Sequence, residues 1–129
     1  MEKYIYIKEQ DVPLYNGKFV IIFSNSVDGV KKHIKDFDYD EIYAHSFLTN
    51  WNETEGFVGI FNFDTDYNIT HGTIAHECLH LTHYVAERRL FVADFLNDEP
   101  LAYLLDFFVN EVYKFAEEKG MEIKTKLIK

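Results

Sequence analysis

Apolar and polar residues alternate over residues 3–8 (KYIYIK), which predicts a strand. A turn region at 11–17 follows, holding Pro13 and the pair Asn16-Gly17. The unbroken apolar run 18–24 (KFVIIFS), rich in β-branched residues, predicts a second strand. The period then changes. Val27, Val30, Ile34 and Phe37 recur at helical spacing over 26–37, with Ser26 in position to cap. Residues 41–49 (EIYAHSFLT) read as a third strand and 50–56 (NWNETEG) as a polar loop. Residues 57–63 (FVGIFNF) read as a fourth strand with Phe57, Gly59, Phe61 and Phe63 on one face, and 64–68 as a turn.

Two longer helices complete the chain. One runs from about residue 70 to 90, capped by Thr70 or Thr73, with Ile74, Cys78, Leu81 and Val85 as its apolar stripe. Arg88 and Arg89 sit in its last turn, where cations suit the helix dipole. After a connection at 91–97, Pro100 is tolerated in the first turn of a second helix, and Gly120 stops it. Leu101, Leu104, Leu105, Phe108, Val112 and Phe115 give that helix a broad core face. The order β-β-α-β-β-α-α predicts an α+β fold: a small mixed sheet of about four strands with one packed helix, followed by a helix pair. The length, 129 residues, suits one domain over 1–129.

Charge and cysteine usage narrow the function. The formal net charge of −9 repels a polyanion, so nucleic acid is not an expected partner. The single cysteine, Cys78, allows no internal disulfide and fits a reducing compartment. No apolar run has the length of a signal peptide or a membrane span, so the expected setting is cytoplasmic, without membrane contact.

The chemistry concentrates in His76-Glu77-Cys78-Leu79-His80, an H-E-x-x-H sequence within the first long helix. Histidines four apart lie about 40° apart around a helix and roughly 6 Å along it, so both rings can reach one zinc ion. Glu77 stands beside the first of them, where a carboxylate can serve as general base toward a water that the metal activates. Cys78 points about 160° away from His80 and belongs to the core rather than to the metal.

A catalytic zinc commonly takes three protein ligands. The acids and histidines that follow are His83, Glu87, Asp94, Asp98, Glu99 and Asp106. His83 shares the face of His76 but lies about 10 Å along the helix, too far for the same ion. Glu99 is the preferred third ligand because it opens the next helix, with Asp98 as the alternative. Asp106, two turns further on, is a candidate to hydrogen-bond a ligand histidine. Tyr103, His83 and His71 are candidate oxyanion donors, among which the sequence does not choose.

HECLH followed by NDEPLAYLLDFF resembles the gluzincin-type zinc metallopeptidases, whose third ligand is a glutamate on the helix after the H-E-x-x-H helix. It is similar in particular to small zincin-like proteins of phage and mobile elements. The resemblance covers residues 70 to about 113, with GFVGIFNF before them. It implies zinc on His76, His80 and Glu99, with Glu77 as catalytic base in a minimal zincin-like domain. It also implies a peptide or protein substrate. One position departs: thermolysin-like members carry an aspartate one turn after the ligand glutamate, where this chain has Tyr103. The expected function is therefore a zinc-dependent hydrolase, a metallopeptidase. The alternative is a catalytically silent zincin-like binding protein with a structural or vestigial metal site. The 57–63 strand is expected to border the cleft and offer an edge to an extended peptide, with Gly59 admitting its backbone. Oligomeric state is not legible.

Overall fold

The computed structural model describes residues 2–64, 69–91, 96 and 98–125. Its elements are β1 (Ile5–Asp11), β2 (Lys18–Ser24), α1 (Val27–His33), β3 (Ala44–Trp51), β4 (Thr54–Phe61), α2 (His71–Arg88) and α3 (Glu99–Lys119). This is the α+β arrangement that the hydrophobic pattern predicts. The turn expected at 64–68 and the connection at 91–97, with the candidate ligand Asp94, fall largely outside the described residues. Among the described residues no helix is long and apolar enough to cross a membrane.

The four strands form one mixed sheet in the order β1-β2-β4-β3. β1 pairs with β2 antiparallel, β2 with β4 parallel, and β4 with β3 antiparallel. The parallel pair needs a long crossover, and α1 and β3 lie within it. β2 and β4 are therefore interior, and helices cover both of their faces. On one face Phe19, Phe23, Phe57 and Phe61 pack against Ile74, Leu81, Val85 and Phe108. On the other, Val20, Ile22, Val58 and Ile60 meet Val30, Ile34 and Phe37. Burial on both faces explains why these two strands read as continuous apolar runs.

The structure corrects the reading of β4. Both of its edges are already paired, so it cannot accept an added strand. A side chain at Gly59 would meet Leu81 Cδ1 at 3.5 Å and Phe61 Cε2 at 3.4 Å. Gly59 thus faces helix α2 at ordinary contact distance, not a substrate backbone. The loop expected at 50–56 shrinks to the two residues Asn52 and Glu53, with φ of 49° and 66°. Two left-handed residues make the tight primed turn that matches strand twist. Strand β3 extends to Trp51 as a result and forms the outer edge of the sheet.

Helix α2 starts where Thr70 Oγ1 accepts from the Thr73 N–H at 3.1 Å, and Thr73 Oγ1 accepts from the Thr70 N–H at 3.3 Å. This is a reciprocal capping box with threonine in place of the usual glutamate. Its far end is fastened by Glu55, which meets Arg88 Nε at 2.5 Å and Arg89 Nη1 at 2.6 Å. Helix α3 lies over β2. The Phe19 and Phe108 rings are 4.7 Å apart, as are those of Phe23 and Phe115. Gly120, at φ 68°, ends it.

Burial raises the Glu55 pKa, but the hydrogen bonds from Arg88 and Arg89 outweigh it and hold the carboxyl below its ordinary 4.5. A depressed carboxylate stabilises the fold fully above the ordinary value and loses that contribution as pH falls through the folded one. Solvent screens this pair, Arg88 being half exposed, so Glu55→Gln should cost about 0.5–1 kcal/mol near neutral pH. The gap to the parent protein should close as the solution is acidified below the ordinary glutamate range. Urea unfolding across this range checks it; a gap independent of pH would contradict the assignment.

Candidate metal centre

Packing fixes where α2 points its polar residues. Ile74, Cys78, Leu81 and Val85 are fully buried against the sheet. That leaves His76 and His80 on the exposed side. Their Nε2 atoms are 3.2 Å apart, with the ring planes at 80°. Two nitrogens at about 2.0–2.1 Å from a tetrahedral zinc would stand about 3.3 Å apart. The pair thus has the separation that one ion requires, while 3.2 Å also permits a hydrogen bond between the rings.

Glu77 differs from both histidines in burial. It is only 9% exposed, whereas the His76 side chain is 67% exposed. Its Oε2 lies 3.9 Å from His76 Nε2, beside the pair rather than between the rings. Thr73, Glu77 and Tyr84 fall within about 40° of one another around α2. This flank faces β3: the Thr73 and Tyr43 hydroxyls are 3.5 Å apart, and the Tyr84 hydroxyl is 3.5 Å from the Ser46 carbonyl. The sequence reading missed Tyr43, Ser46 and Tyr84. The spacing of Thr73, Glu77 and Tyr84 at i, i+4 and i+11 was the signal that one polar flank of α2 runs beside another element.

Cys78 is fully buried, as its position on the helix predicts. Burial, with the Glu77 charge adding to it, pushes its thiol up to about 12, so it stays protonated and inert near neutral pH.

The other candidates lie elsewhere. His71 Nδ1 hydrogen-bonds the Tyr113 hydroxyl of α3, about 140° around α2 from His76. Helix α3 therefore packs on the flank away from β3. Glu99 and Tyr103 line an apolar groove with Pro13, Leu14 and Tyr15 of the β1–β2 connection, across the sheet from β3. Tyr103 is 70% exposed there. Asp106 is exposed and accepts from Asn110 Nδ2 at 3.4 Å. His83 is exposed one turn beyond His80. Among the described residues no three His, Cys, Asp or Glu side chains converge on a point that could hold a metal. His76, His80 and Glu77 are brought together; Glu99 does not join them.

Zinc content should therefore depend on the histidines and not on Glu99. His76→Ala and His80→Ala should each lose zinc after dialysis of the untagged protein, while Glu99→Ala should retain the parent content. Loss of zinc in Glu99→Ala, with an unchanged thermal melt, would return that carboxylate to the metal.

No protein-family model matches the chain, and no curated protein and no solved structure matches it either.

Proposed function

We propose that this chain is a zinc-dependent hydrolase acting on peptides. The observation that carries the reading is the His76–His80 pair at 3.2 Å with the buried Glu77 carboxylate 3.9 Å from His76, on the flank that faces the sheet edge. His76 and His80 would hold the ion, which when bound supplies a Lewis acid that polarises a carbonyl and acidifies water. The role of Glu77 is to take a proton from the attacking water and return it to the leaving amine. Its burial against the β3 side keeps the carboxylate fixed beside the pair instead of free in solvent.

Strand β3 gives such a substrate somewhere to lie. The two-residue turn makes Trp51 and Thr54 a hydrogen-bonded pair, so alternate residues Asn50, Leu48 and Ser46 turn their N–H groups outward. The Asn62 N–H to Tyr43 carbonyl bond of 2.8 Å keeps the same alternation. An extended peptide can add to that edge alongside Glu77. A second reading, a metal-binding protein without turnover, is favoured by the absence of a third converging donor among the described residues.

Glu77→Gln should keep zinc and lower hydrolysis of a quenched-fluorescent random-peptide mixture by about 100-fold or more. Zinc retained with undiminished turnover would remove Glu77 as the base. No turnover in the zinc-loaded parent would favour the silent reading. Ser46→Pro removes one outward N–H, a change that edge strands tolerate. It should raise KM severalfold while zinc content and Tm stay near those of the parent; an unchanged KM would rule out pairing at β3.

A further inference from the structure

We infer that the exposed flank of α2 is an interface for a second copy of this chain, in which His76 and His80 of both copies share one zinc ion. The inference rests on the reading that the pair takes zinc, and it adds a regulation of the same site. Tetrahedral zinc takes four donors in a closed site and three in an open one. This chain brings two nitrogens to the required separation, and no third described donor converges on them. Helix α3, the expected source of a third, lies on the opposite flank, through His71 and Tyr113. Two copies related by a twofold axis through the ion contribute two donors each, which makes four.

The surface around the pair suits a protein partner. From His71 to His83 the exposed positions of α2 bear only glycine, alanine, leucine and histidine. Glu77 is the one acidic residue of these turns and is buried, so their exposed positions carry no formal charge in a chain with 22 acidic residues and a net charge of −9. Depletion of charge at the centre of a patch is the compositional mark of an interface. Leu79, 47% exposed, lies between the two histidines in sequence. It lies about 60° around α2 from His76, so an antiparallel arrangement of the two α2 helices sets it beside the Leu79 of the second copy. Gly72 and Ala75, both exposed on the preceding turns, leave room for a second helix to approach. The large like charge of the two copies opposes association without the ion. Dimerisation is therefore tied to zinc. The shared ion has no open position for water or substrate, so the dimer is the closed form of the site, and activity belongs to the monomer.

Native mass spectrometry of the untagged full chain, titrated with zinc, tests this. At half an equivalent of zinc the expected species is a dimer holding one ion, which EDTA returns to monomer. Leu79→Lys leaves both histidines in place but sets two cations against each other. It should weaken the dimer by about tenfold or more while zinc binds the monomer. A circular-dichroism melt shows whether that variant is folded. A monomer holding one zinc at every ratio would overturn the dimer and leave the hydrolase reading intact. A dimer that persists in EDTA would overturn it as well. Absence of zinc from both forms would overturn both readings.

Discussion

The seating of α2 on the sheet governs everything else about this molecule. Ile74, Leu81 and Val85 are drawn onto Phe57 and Phe61, with Leu81 lying over Gly59. Once that stripe is buried, helical geometry leaves no choice over the remaining residues. His76 and His80 must face outward, and Glu77 must lie at the margin between solvent and β3. The chemistry of the site thus follows from apolar packing, with the threonine cap and the Glu55 clasp fixing the two ends of the helix.

Packing also explains the contrast among three neighbouring polar side chains. The histidines are exposed and can approach an ion with little rearrangement. Glu77 is nearly enclosed, and its oxygen lies beyond hydrogen-bond range of His76. An enclosed carboxylate loses less conformational freedom when it acts, which suits a positioned base. The buried Cys78 thiol, between these residues in sequence, takes no part because burial keeps it protonated.

Much of this was legible in the pattern of residues, and the exceptions have physical reasons. Thr70, Ser26 and Gly120 marked helix ends through their side chains or their tolerance of left-handed backbone. The turn at Asn52-Glu53 was not legible, because glutamate rarely adopts positive φ and gives no signal of it. Sheet order was partly encoded. FVIIF and FVGIF are apolar without interruption, as interior strands are, while AHSFLTN is mixed, as an edge strand is. The flank of α2 on which α3 packs was not encoded in spacing. It is set by Phe108 and Phe115 meeting Phe19 and Phe23, which draws α3 over β2 and carries Glu99 toward the β1–β2 connection. A carboxylate at the right distance in sequence was thereby directed away from the histidines.

The central claim is that the exposed flank of α2 binds zinc through His76 and His80. Anomalous diffraction at the zinc edge, from crystals of the untagged protein grown with zinc, tests it most directly. The account predicts a peak about 2.0–2.1 Å from the Nε2 atom of each histidine. Zinc at another position, or no peak between His76 and His80 at full zinc occupancy in solution, would contradict it.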